Sequence, residues 1–326
     1  MTRTSKLLTE LRGLRDAGQG GRGDSVWRTS LRRLLRNRAA LAGLIVIATF
    51  GAMAALAPWV APYDPASQHL DASLHEPSTT FWLGTDQLGR DQFSRLVYGA
   101  RVSLAVGVVT QGVAIVLGVA VGMAAGLGGR WADSLLMRLT DVAYSFPDLL
   151  LVILLVSIFG ASPGMLVLAI GLVSWTTIAR LVRGQVLSLR EEEFVQAARA
   201  VGASGWGIAW RHLLPNVMGP VIVTATFGVP AAVFAEAALA FIGLGLAPPA
   251  SSWGRSVTDS FATMQVAPWL TVSSCLAVAV TMMSFTFVGD GLRDALDPKA
   301  GGTRTAHFPA EASEGRTPAR EERRAA

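Results

Sequence analysis

Cysteine is almost missing from this chain. Cys275 is the single one in 326 residues, so neither an internal disulfide nor a cysteine-based metal site can form. Charge is scarce too, at 16% against 51% hydrophobic residues, a balance foreign to a soluble enzyme of this length. No Gly-x4-Gly-Lys-Ser/Thr loop occurs, so the usual cradle for a nucleoside triphosphate is absent. There is no His-Glu-x-x-His pair, and His69, His75, His212 and His307 are too scattered in sequence to outline a metal site. Gly160-Ala-Ser162-Pro-Gly164 fits Gly-x-Ser-x-Gly, but it falls between two apolar runs rather than between a strand and a helix, so it is no nucleophile elbow. The expectation is therefore a chain with no catalytic residues, no metal and no cofactor of its own.

What is abundant is long apolar sequence. The blocks Leu41 to Tyr63, Val102 to Leu127, Val142 to Ala179, Val217 to Gly245 and Phe261 to Val288 are nearly free of charge. Crossing a hydrocarbon core takes about 20 helical residues. The third block is too long for one crossing, and Gly160 to Gly164 divides it. An all-α polytopic membrane protein with six spans is predicted, with cores near Leu41–Val60, Ser103–Gly126, Val142–Phe159, Met165–Val182, Val217–Ile242 and Pro268–Val288. Six spans put both termini on one side. Of the 28 Lys and Arg residues, only Arg90, Arg95, Arg101 and Arg255 would fall on the opposite side, so the termini are expected to be cytoplasmic and the basic pI needs no nucleic acid to explain it. Cys275, in the middle of the last span, is expected to be a buried core residue.

The domain reading follows: a basic cytoplasmic tail over 1–38, a six-helix domain over 39–298 and a disordered cytoplasmic tail over 299–326. Ser30-Leu-Arg-Arg-Leu-Leu35 with Ala55-Leu-Ala57 looks like a twin-arginine export signal, but Pro58 makes a poor cleavage position and the chain beyond is itself membranous. Arg22-Gly-Asp24 is a chance match. The outer segment, 62–101, is too long for a turn, and its Gly-Thr-Asp and Gly-Arg-Asp turns predict an ordered element ahead of a helix starting near Gln92. Gly118, Gly122 and Gly126 give the second span a face that another helix can approach closely, without naming that helix. The outer loop, 246–267, contains an amphipathic piece from Arg255 to Met264 that reads as a short helix at the surface.

The polar island of the chain is Arg190 to Asn216, within a loop over 183–215. Its first part has Glu, Gln, Arg and alanines with no Pro or Gly and is predicted helical. Gly202 breaks it, and Trp206 to Leu214 forms a second short helix that Pro215 should end. Phe194, Ala197, Ala198 and Val201 share one face, either as an ordinary amphipathic connector or as a surface for a partner. Ionisable residues inside spans are costly. Asp148, after Pro147, and Glu236, six residues past Pro230, are expected to face the bundle interior or a water-filled path; for Glu236 hydration at the outer interface is the alternative, and for Asp148 bonding to polar groups in the bend that Pro147 creates. Arg138 and Asp141 are expected to pair.

Four stretches together resemble one family. They are Leu83-Gly-Thr-Asp-Gln-Leu-Gly-Arg-Asp91, the island just described, Glu236-Ala-Ala-Leu-Ala-Phe-Ile-Gly-Leu-Gly245 leading to Pro248-Pro249 and Trp253-Gly254, and Gly289-Asp-Gly-Leu-Arg-Asp-Ala-Leu-Asp-Pro298. From Arg38 to Lys299 the chain resembles permease subunits of binding-protein-dependent ABC importers, within them the C-type subunit of dipeptide, oligopeptide and nickel systems. The resemblance implies the type I importer permease fold and a multi-pass place in the bacterial inner membrane. It implies three kinds of partner: a second homologous permease, two ATP-binding cassette ATPases that use the ATP, and an extracytoplasmic solute-binding protein. It also implies that the loop couples to an ATPase through Glu193, Gln196, Ala197, Ala198, Gly202, Leu214 and Pro215. Gln196 stands where the family pattern has Glu, and His212 where it has Ile. Two competing readings are a proton-coupled carrier using Asp148 and Glu236, and a membrane hydrolase using Ser162. The substrate is not legible.

Overall fold

Asn37 separates the first two helices. Its side-chain oxygen accepts the backbone N–H groups of Ala39 and Ala40 at 3.1 and 3.3 Å, so it caps a new helix after only a one-residue break. The computed structural model describes residues 26–247 and 249–296; residues 1–25 of the expected basic tail over 1–38 and the whole expected tail over 299–326, with Arg22-Gly-Asp24 and His307, and Pro248, Asp297 and Pro298 of the quoted motifs, lie outside them. Helix α1 (Val26–Arg36) precedes this cap and α2 (Arg38–Ala55) follows it. Part of the stretch read as a basic tail is thus a helix. After a single turn at Ala57–Val60 and the 62–91 segment come α3 (Gln92–Leu127), α4 (Arg130–Ser145), α5 (Asp148–Phe159), α6 (Pro163–Leu189), α7 (Glu193–Ala200), α8 (Gly205–Phe241), α9 (Trp253–Phe261) and α10 (Pro268–Leu296).

The glycine face of α3 meets α6. A Cβ on Gly118 would lie 2.6 Å from Ile178 Cβ, one on Gly122 2.6 Å from Val182 Cβ and one on Gly126 2.6 Å from Val186 Cγ1. Contacts that rise together along both helices make the pair parallel. The chain must therefore cross back between them, and it does so through α4 and α5, which are bent by 84° at Phe146–Pro147. The bend has a local cause: Pro147 has no N–H to donate and disfavours helical geometry in the residue before it. The third predicted span is thus a broken pair, its second limb only 12 residues long. Among the described residues five helices are long and apolar enough to cross a membrane, six if the bent pair is one crossing.

Helix α10 packs on α2, where Gly43 leaves room for the Ser284 carbonyl, and on α8. Val106, Leu166, Ile170, Ala232 and Leu239 fill a core between α3, α6 and α8. Cys275 is exposed rather than buried: in α10 its neighbours Leu270 and Ser274 take the inward positions, and the sulfur-bearing face turns away from the bundle. Ser162 caps α6 by accepting the Met165 N–H at 3.1 Å, which gives that serine a structural job.

Candidate functional site

The contact of Arg190 Nη1 with the Gly126 carbonyl, 3.4 Å, places the polar island at the end of the bundle where α3 and α6 both finish. There α7 is short but anchored. Val195, fully enclosed, packs with Ile208 and Leu213 of α8 and with Val182 and Val186 of α6. Gly202 sits at φ +85°, a conformation natural to glycine, and the N–H groups of Gly202 and Ala203 return to the carbonyls of Arg199 and Ala198 at 3.0 Å. Ser204 then accepts the Gly207 N–H at 3.1 Å and starts α8.

Helix α8 does not end at Pro215. A wide π turn over Ala209–Leu213 lets the Leu214 N–H reach back to the Ala209 carbonyl, and the Asn216 side chain donates to the His212 carbonyl at 2.6 Å. Backbone polar groups around the proline thereby find other partners, and the loop runs without interruption into a helix of 37 residues, Gly205–Phe241. The second short helix predicted for Trp206 to Leu214 is the first part of this long one.

The island turns large apolar side chains outward. Phe194 is 42% exposed, Val201 85%, Trp206 73% and Trp210 55%. Trp206 and Trp210 stand edge to face, 5.6 Å between ring centroids. Of the predicted face, Phe194, Ala197 and Val201 are exposed, while Ala198 is partly turned into the anchoring cluster that Val195 heads. Glu193 is exposed in the first turn of α7, Leu214 is half-buried and Pro215 exposed. Gln196 Nε2 donates to the Glu191 carbonyl at 2.9 Å, and Glu191 pairs with Arg190 at 3.1 Å. The His212 ring lies 6.3 Å from that of Phe194.

The two ionisable residues predicted to line a path fare differently. Asp148 opens α5 and is exposed on this chain, so it does not face this bundle's interior; at a helix N-terminus its charge meets the positive end of the dipole. Glu236 is 0% exposed, enclosed within the bundle rather than hydrated at an outer interface. Ser103 of α3 donates to its Oε2 at 3.2 Å, and Ser252 lies beside the same carboxyl. Ser103 Oγ also accepts the Trp253 N–H at 3.1 Å, so Glu236 helps to tie α8, α3 and α9 together. Asp141 pairs with Arg180 at 3.5 Å, not with Arg138, because α6 lies alongside and the Arg180 guanidinium stacks 3.8 Å from the Tyr144 ring.

At the opposite end, where α3 begins, lies a cluster that local sequence did not reveal. Gly84 and Gly89, at φ +72° and +70°, turn the 62–91 segment so that Asp86 faces Arg90 and the buried Arg95. Asp86 accepts the N–H groups of Leu88 and Arg90, each at 2.9 Å, and pairs with Arg90 and Arg95. Asp259 of α9 receives Arg95 at 2.6 Å, Arg90 at 3.2 Å and Arg255 at 2.8 Å. The carboxylate that completes the network is 164 residues from Arg95. Helix α9 is not a surface helix: Trp253 is buried, its Nε1 donates to the Leu96 carbonyl at 3.0 Å, and Phe50 meets its ring edge to face.

Residues 118–302 match the family model described as binding-protein-dependent transport system inner membrane component, and residues 25–77 match the N-terminal TM domain of oligopeptide transport permease C. The chain is 42% identical over 275 residues to the dipeptide transport system permease protein DppC of Alkalihalophilus pseudofirmus, covering 84% of this chain and 90% of that one. It is 43% identical over 279 residues to the oligopeptide transport system permease protein OppC of Escherichia coli, covering 85% and 92%. A solved structure of the MetNI methionine ABC transporter in an inward facing conformation shares the fold, with a TM-score of 0.52 at 19% identity, over 62% of this chain and 96% of that one. The chain belongs to the binding-protein-dependent transport system inner membrane components, the multi-pass permease subunits of ABC importers.

Proposed function

We propose that this permease carries di- or oligopeptides inward by alternating access, as one of a pair of homologous permeases served by two ATPase subunits and a solute-binding protein. The observation that carries this reading is the anchored α7–Gly202–α8 unit. It is fixed to the bundle by Val195, Ile208 and Leu213 and yet presents Phe194, Val201, Trp206 and Trp210 to solvent. A patch of that kind favours a protein partner. Because α8 continues from the patch through the bundle, a displacement there passes into a spanning helix without an intervening hinge loop. ATP is bound and hydrolysed by the partner subunits, and their closure shifts the permease only if loop contacts differ between the two states. The peptide class rests on the dipeptide and oligopeptide permeases that the chain resembles along most of its length.

The test is purification of the tagged chain from its native host in mild detergent, with uptake of a labelled dipeptide measured in parallel. An ATPase subunit is expected to co-purify, and uptake to stop when ATP is depleted while the proton gradient is kept. Uptake that survives ATP depletion and stops when the gradient collapses would favour a proton-coupled carrier instead.

A further inference from the structure

Helix α1 is positioned by a contact of its own. Ser30 and Leu34 are buried, Leu34 packs with Ala40 and Ala295, and Gly291 of α10 lets the Leu34 side chain and Ala40 come close. With that face fixed against α10, the remaining faces are determined by helical spacing. Leu31 and Leu35, four apart, form an exposed apolar stripe. Arg32, Arg33 and Arg36 are exposed beyond it, and Arg38 follows at the start of α2. The segment VWRTSLRRLLR has no acidic residue.

The location of this helix also restricts what can cover it. One residue, Asn37, separates it from α2, an 18-residue helix apolar enough to cross a membrane. Helix α1 therefore lies at the level where a bilayer meets water. An apolar stripe flanked by arginines at that depth matches the boundary between acyl chains and headgroups, with Leu31 and Leu35 reaching inward and the guanidinium groups toward phosphates. Asp290 and Asp294 are exposed near the end of α10, yet Arg33, Arg36, Arg38 and Arg293 outnumber them. We propose that α1 is a binding surface for anionic phospholipid, with the leucine stripe seated in the acyl boundary and Arg33 and Arg36 engaging the headgroup phosphates.

The experiment uses the full chain purified in mild detergent and native mass spectrometry with phosphatidylglycerol or phosphatidylcholine at equal concentration. The parent is expected to retain phosphatidylglycerol in preference to phosphatidylcholine. R33Q/R36Q should lose that preference by on the order of tenfold or more, while its helical content and thermal unfolding stay unchanged. R130Q/R138Q, on α4, should keep the preference, and glycerol 3-phosphate should fail to displace the lipid. Equal retention of the two lipids by the parent, an undiminished preference in R33Q/R36Q, or its loss in R130Q/R138Q would overturn the proposal. Displacement by glycerol 3-phosphate would overturn it in favour of a free-phosphate site. Should the double variant fail to fold, the parent alone decides: its preference must fall as salt is raised, and a salt-independent preference would sink the idea.

Discussion

Gln196 Nε2 donates to the main-chain carbonyl of Glu191, 2.9 Å away, so the amide that stands where the family pattern has glutamate is engaged by its own chain. Glu191 in turn is paired with Arg190, while Glu192 and Glu193 remain exposed at the start of α7. The charge available to a docking partner therefore comes from Glu192 and Glu193. E192Q/E193Q is expected to weaken ATPase co-purification by about tenfold, the scale of a lost charge-assisted hydrogen bond, whereas Q196A changes it by less than about twofold. Binding of the purified ATPase to each variant in detergent measures both, and a larger effect from Q196A would return the polar contact to that residue.

Gly202 has φ +85° and no neighbour within 4 Å of where a Cβ would stand. The cost of a side chain there is conformational, not steric crowding. G202V should strain the turn by about 1–3 kcal/mol and re-aim α7 against α8. Peptide uptake is expected to be abolished with membrane insertion and yield at parent levels. Full uptake by G202V would show that the turn is not needed for coupling.

Gly122 is the complementary case, limited by space. A Cβ there would stand 2.6 Å from both the Ala179 carbonyl oxygen and Val182 Cβ. G122V should separate α3 from α6 and lower stability by about 1–3 kcal/mol, the usual range for overpacking. Gly112, on the same helix, has nothing within 4 Å, and G112A should leave thermal unfolding in detergent unchanged. Equal unfolding temperatures for the two variants would contradict the close packing.

Arg95 shares Asp86 and Asp259 with Arg90, and its side chain is almost wholly enclosed. Truncating one member leaves buried charge without its partner, which costs about 3–5 kcal/mol. R95Q should therefore lower the unfolding temperature sharply and loosen the 62–91 segment to protease. R255Q, at the more open rim of the same cluster, should do much less. The comparison is a pair of melting curves with limited proteolysis beside them.

How much of this was legible depended on the range of the interactions. The start of α3 at Gln92 was readable because Asp91 caps it locally, its Oδ2 accepting the Ser94 N–H at 2.7 Å. The break at Gly202 was readable because only a glycine sits easily at that φ. The continuation of α8 through Pro215 was not, since the remedy is a π turn several residues upstream. Likewise Pro147 announced a bend in the third span, but not an angle of 84°.

By itself the sequence determined the all-helical, membrane-spanning character, the glycine face of α3 and the polar island with its turn, because helix formation and transfer into lipid are decided within a turn or a span of one segment. Tertiary structure decided which helix meets that glycine face, that Glu236 is sealed against Ser103 while Asp148 and Cys275 point outward, and that Asp259 completes the ion cluster around Arg95. Those outcomes depend on shape and charge matching between segments as far as 164 residues apart, and no local pattern of hydropathy contains that information.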